Sequence, residues 1–196
     1  ESMRAALDGT EWDAVIDVSG FVMAAGGGEF EELLGLLDGR VGAYVFVSSI
    51  MAYAPSGVMP WTEDAPQTSD AATTYGGFKA HAERAILELH ATTGFPGSVA
   101  RPAAIYGPEN NIHDMETAMF LRLRRGLPVL LPHEGLVTTS YGHVDDLCRN
   151  LLELAAWHGR VDIVRHGRVV ASVVAPRAID ELERQCGALA QDFGHW

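Results

Sequence analysis

Thr74-Tyr75-Gly76-Gly77-Phe78-Lys79 holds the one lysine of a 196-residue chain; of 14 basic residues, the other 13 are arginine. The two cations differ chemically: lysine is a compact point charge, arginine a planar fork. A Tyr-x-x-x-Lys pair on a helix sets the phenol and the ammonium on one face, one turn apart. At about 4 Å and an effective dielectric near 20, their attraction is roughly 4 kcal/mol. That is enough to draw a phenol from about 10 towards neutrality. A phenol tuned in this way exchanges protons with an alcohol or a ketone. From this stretch alone, an ordinary surface pair on a helix is an equal competitor.

The neighbouring segments shift the balance. Upstream, Tyr44-Val45-Phe46-Val47-Ser48-Ser49-Ile50-Met51-Ala52-Tyr53 is an aromatic and β-branched run ending in two hydroxyls, which predicts a buried strand opening into a loop. Downstream, Val99-Ala100-Arg101-Pro102-Ala103-Ala104-Ile105-Tyr106-Gly107-Pro108 predicts a short apolar strand broken by Pro102 and again by Gly107-Pro108. Ligands of open α/β sheets sit outside the carboxyl ends of the strands. Ser49 and the Arg101-Pro102 turn are therefore expected at one rim, with the Tyr75 helix entering between them.

At these residues the chain resembles the extended short-chain dehydrogenase/reductase superfamily, in its NAD-dependent epimerase/dehydratase branch. Trp12-Asp13-Ala14-Val15-Ile16-Asp17-Val18-Ser19-Gly20, Phe46 to Tyr53, Trp61-Thr62-Glu63-Asp64-Ala65-Pro66, Tyr75 to Lys79, Arg101 to Pro108 and Tyr141-Gly142-His143-Val144-Asp145-Asp146-Leu147 follow the family's order, from about residue 2 to about residue 156. The resemblance implies Ser49 as the hydroxyl that orients the substrate oxygen, Tyr75 as the acid/base, and Lys79 as the group that lowers its pKa and holds the nicotinamide ribose. It implies that Val18, Ser19, Gly20 and Ser48 line the cofactor, and that Pro102, Ala104 and Ile105 lie against the carboxamide. His143 to Asp146 is implied to be architectural, with an aspartate capping the next helix. The implied chemistry is hydride transfer between NAD or NADP and the carbinol of a nucleotide sugar, in an isomerase or oxidoreductase.

One departure is large. The family opens with a strand and a Gly-x-x-Gly-x-x-Gly turn that seats the pyrophosphate, and this chain carries neither. Gly26-Gly27-Gly28 lacks the spacing, and Glu29, Glu31 and Glu32 at the start of the next helix would repel a phosphate. The triplet is read as a flexible loop. The expected fold class is therefore α/β, a partial Rossmann-like doubly wound parallel sheet missing its first strands, in a truncated form. The chain as given is expected to bind NAD poorly, and the strand that would adjoin Ala14–Val18 is expected to be absent, leaving an exposed edge.

Composition fits one domain with an appendage: 47% hydrophobic residues supply a sizeable core. A net charge of −12 argues against a nucleic-acid or membrane partner. Cys148 and Cys186 are too few for a disulfide framework, so a reducing, cytoplasmic setting is expected. The chain shows no signal peptide and no long apolar span, and a targeting segment ahead of Glu1 stays open. A homodimer is among the expected assemblies. His133 and His143 lack ligand spacing and are expected not to hold a metal.

The alternation of periods predicts helices at Ser2–Leu7, Phe30–Leu37, Thr74–Thr93, Met115–Arg125 and Val144–Trp157, and strands at Ala14–Val18, Ala43–Val47, Ser98–Arg101 and Val129–Leu131. Residues 1–158 form the expected partial NAD(P)-binding domain, and residues 159–196 a divergent β-β-α tail of uncertain origin. In that tail, two strands flank His166-Gly167 and a helix covers Ala178–Leu189. Through Arg165-His166-Gly167-Arg168 and Val170-Ala171-Ser172-Val173-Val174-Ala175-Pro176, it resembles the core of Phd/YefM-type antitoxins. A divergent last piece of the same fold, or a frame-shifted or fused tail, is favoured over that likeness. Two functions compete for the whole chain: a nicotinamide-dependent nucleotide-sugar epimerase, dehydratase or reductase, and a non-catalytic binding or regulatory protein on the same scaffold.

Overall fold

The computed structural model describes residues 7, 9–19, 28–58, 61–69, 73–110, 116–136 and 140–156, and the backbone of residues 161–165 and 168–173. Strands β1 (Val15–Asp17), β2 (Tyr44–Val47) and β3 (Gly97–Ala100) form a parallel sheet, with Val15, Ile16 and Asp17 opposite Tyr44, Val45 and Phe46. Helices α1 (Glu29–Leu37) and α2 (Tyr75–Thr93) connect them. The expected α/β class with parallel strands is what is seen.

The core lies between this sheet and the two helices. Phe30, Leu34 and Leu37 of α1 meet Tyr44 and Phe46 of β2 and Ala82 and Ile86 of α2 in one buried cluster. Phe30 and Phe46 stack tilted, their ring centroids 5.7 Å apart. Such aromatic pairs add about 1 kcal/mol beyond their buried area. Helix α2 begins where its sequence says it should: the Thr74 hydroxyl accepts the Gly77 N–H at 3.0 Å, and Gly94 closes it in the left-handed conformation.

Contacts divide the chain into two units: residues 1–101 with 150–196, and residues 102–149. The second unit holds strand β4 (Ala104–Tyr106), helix α3 (Glu116–Arg124) and strand β5 (Tyr141–His143), with β4 and β5 paired in parallel. Helix α4 (Val144–Ala156) starts in this unit and ends in the first, where Leu151 and Ala155 are buried. β4 and β5 have three residues each, too short for a period to declare them. The strand expected at Val129–Leu131 is absent. Pro128 and Pro132 bracket it and supply no N–H to a ladder, Leu130 is almost fully exposed, and a 3-10 turn follows at Pro132–Gly135.

The edge beside β1 is not open. Strand β6 (Val161–Arg165) pairs with it in parallel, Val15 opposite Asp162, and β7 (Arg168–Val173) continues the sheet antiparallel, giving the order β3-β2-β1-β6-β7. The tail's β-branched run satisfies backbone groups that an edge strand would leave unpaired. The helices expected at 2–7 (apart from Leu7) and 178–189, the turn at 166–167, and Gly20, Gly26 and Gly27 lie outside the described residues.

A candidate acid–base site at the end of the second strand

The chain leaves β2 through Ser48 and Ser49 into a 3-10 turn, Ile50–Ala52, whose Met51 N–H is accepted by the Ser49 hydroxyl at 3.2 Å. Helix α2 packs its first turn on this 3-10 turn. A Cβ on Gly76 would stand 2.1 Å from the Met51 carbonyl oxygen. No side chain fits there, so glycine lets the neighbouring Tyr75 approach the serine turn. The Ser49 side chain stands close enough to Tyr75 to favour its ionised form.

Lys79 follows one turn later and is 2% exposed. Its ammonium donates to the Val47 carbonyl at 2.5 Å and lies 4.8 Å from the centre of the Phe46 ring and 5.7 Å from that of Tyr75. Burial lowers its pKa to about 8, against the opposing pull of Asp17 and Glu83. Tyr75 moves the opposite way from the expectation. Burial raises its phenol above the usual value, and the lowering influence comes from Ser49. Burial is the largest influence on the phenol, and the ammonium donates to the Val47 carbonyl.

Behind the pair lies a network that spacing did not announce. Glu83, fully buried, accepts from the Ser48 hydroxyl, from the Gln67 amide, and from Arg101 through Nε at 3.0 Å and Nη2 at 2.6 Å. Arg101 also donates to the Tyr53 hydroxyl at 2.8 Å and to the Glu63 carbonyl at 3.0 Å, and its guanidinium carbon stands 4.5 Å from the Tyr53 ring centre. The one available signal was helical: Glu83 stands one turn beyond Lys79 and two beyond Tyr75. Asp17, at the end of β1, accepts the Tyr44 phenol at 2.6 Å and the Ser19 N–H at 2.9 Å. Burial, then Asp17, hold the Tyr44 phenol well above its ordinary value.

Of the residues expected to line a cofactor, Ser48 is buried in this network, while Val18 after β1 at 56% and Tyr75 at the start of α2 at 47% are exposed. Pro102 precedes β4, and Ala104 and Ile105 form its first two residues, all in the second unit. His143 accepts the Asp145 N–H through Nδ1 at 3.2 Å, so at the start of α4 the histidine takes the capping part expected of an aspartate. Among the described residues, no helix is long and apolar enough to cross a membrane.

The NAD dependent epimerase/dehydratase family matches residues 31–164. The chain belongs to this family. It is 28% identical, over 78% of its length and 37% of the other's, to the chloroplast stem-loop binding protein of 41 kDa b of Arabidopsis thaliana. Its fold is similar to that of dTDP-glucose 4,6-dehydratase from Bacillus anthracis str. Ames in complex with NAD, with a TM-score of 0.62 and 18% identity over 89% of this chain and 57% of that one. It is similar also to MoeE5 in complex with UDP-glucose and NAD, with a TM-score of 0.53 and 25% identity over 80% and 52% of the two chains. The chain thus spans little more than a third of that curated relative and just over half of these two structures.

Proposed function

We propose that this chain carries the acid–base part of a nucleotide-sugar epimerase or dehydratase site that works with NAD or NADP. One observation carries the reading: the Tyr75 phenol meets the Ser49 side chain beside a glycine that leaves no room for a Cβ, with a buried ammonium one turn beneath it. Tyr75 is the catalytic residue. A phenol above its usual pKa is protonated at neutral pH, so it donates to an oxygen gaining negative charge and recovers the proton in the reverse direction. Ser49 orients that oxygen with its hydroxyl. Lys79 supplies positive field under the phenol and favours the transient phenolate.

The residues fit the nicotinamide half of the cofactor. Val18 and Tyr75 are both exposed, and Val18, Ser19 and Tyr75 would hold that half; by family resemblance Gly20, Pro102, Ala104 and Ile105 are also assigned to the cofactor. The cofactor's chemistry is hydride exchange with the substrate carbon. The UDP-glucose and NAD held by MoeE5 support a nucleotide sugar as the substrate class.

The stem-loop binding relative favours a second reading, a binding protein on the same scaffold. A net charge of −12 weighs against a nucleic-acid backbone as its partner. Turnover separates the readings. In the chain joined at Glu1 to a strand and glycine-rich turn of the family type, Tyr75→Phe lowers nucleotide-sugar turnover about 100-fold or more. Near-normal turnover in that variant removes Tyr75 from the chemistry. No turnover in the parent, together with binding of a folded RNA stem-loop, selects the second reading.

A further inference from the structure

We propose that Glu83 is the positioning residue of this site, fastening the Ser48-Ser49 strand end to helix α2 and setting the charge around Lys79. The idea deepens the acid–base reading, but its test is independent of it. Glu83 stands on the face of α2 that carries Tyr75 and Lys79, and its carboxylate is the only fully buried acidic group among the described residues. Four groups from three other segments converge on it: Ser48 at the end of β2, Gln67 of the loop that follows, and two nitrogens of Arg101 after β3. Ser49, the next residue after Ser48, is the partner of Tyr75. One carboxylate therefore ties the helix turn below the phenol to the strand end that bears the orienting hydroxyl.

A neutral side chain could make a similar set of ties, so the charge needs its own reason. Lys79 is buried at the same strand end and faces Asp17 from β1, the Val47 carbonyl and Phe46 ring from β2, and Tyr75 and Glu83 from its own helix. Asp17 and Glu83 are the acidic groups that favour its charged form against desolvation. Asp17 is engaged with Tyr44 and Ser19, and Glu83 with Arg101, so each carboxylate is held in place by partners other than the lysine.

The lone lysine makes the test direct. Protein carrying 13C- and 15N-labelled lysine gives a single side-chain amine signal, and its chemical shift is followed against pH in the native chain and in variants. The native midpoint is expected near 8. Glu83→Gln, close to isosteric, is expected to lower it by about one unit, and Asp17→Asn to lower it at least as much. A folded Glu83→Gln protein whose Lys79 midpoint stays at the native value while Asp17→Asn lowers it overturns the proposal. Should Glu83→Gln fail to fold, Arg101→Gln decides: freed of its counter-charge, Glu83 raises the midpoint, and an unmoved midpoint overturns the proposal. Tyr75→Phe should leave the Glu83 effect intact. A dispensable phenol would therefore sink the catalytic reading without touching this one.

Discussion

Helices α2 and α3 differ in what surrounds them. In α2, Gly76, Gly77, Lys79, Ala80, Ala82, Glu83, Ala85 and Ile86 are buried, so two of its charged residues lie inside. In α3, Met119, Phe120, Leu121 and Leu123 are exposed. The contrast shows where this chain can build precise chemistry. A charged group removed from water is held by defined partners or it is too costly to keep, so Lys79 and Glu83 have few geometries open to them. Apolar side chains in water carry no comparable instruction, and α3 is amphipathic only weakly.

The contrast can be broken at its strongest point first. Glu83→Ala leaves Arg101, Ser48 and Gln67 without their shared acceptor and is expected to cost about 4 kcal/mol. Urea denaturation measures it, and a cost below about 1 kcal/mol, the level of a solvent-exposed pair, would show that the network is not a structural unit. Gly76→Ala drives a methyl into the Met51 carbonyl and is expected to cost about 3 kcal/mol. Its folded remnant should lose the approach of Tyr75 to Ser49, read from the Tyr75 side-chain resonances.

Lys79 gives a pH-dependent version of the same contrast. Its folded pKa, about 8, lies below the 10.5 of a free lysine, so between those values the unfolded chain binds more protons. Stability from this group therefore rises as pH rises through that window. Relative to Lys79→Met, the native chain should gain about 2 kcal/mol between pH 7 and 9.5. A constant difference in denaturation free energy across that range would mean the lysine is solvated. The smallest effect belongs to the other helix: Phe120→Ser should change stability by less than about 0.5 kcal/mol. A large loss there, by the same denaturation measurement, would mean that α3 is covered in solution.

Much of this was legible before the structure. The Tyr-x-x-x-Lys face and the apolar run of β2 are local signals, and the expected spans Thr74–Thr93 and Ala43–Val47 fall within a residue of α2 and β2. What local signals missed were the three-residue strands β4 and β5 and the failure of Val129–Leu131 to become a strand between two prolines. The roles of Ser49, Tyr75 and Lys79 came from family resemblance.

The sequence by itself determined that a phenol, a hydroxyl and a lone ammonium would come from successive elements of a parallel α/β sheet, because periodicity and capping act over a few residues. Only the tertiary structure decided where the ammonium points, which carboxylate holds the strand end, and that the tail's β6 covers the edge of β1. Those outcomes depend on desolvation and on partners distant in sequence. Glu83 meets Ser48 across 35 residues and Lys79 meets Val47 across 32, distances at which no local preference acts. Burial then sets the sign of each titration, raising the phenol and lowering the amine, against what charge spacing alone would give.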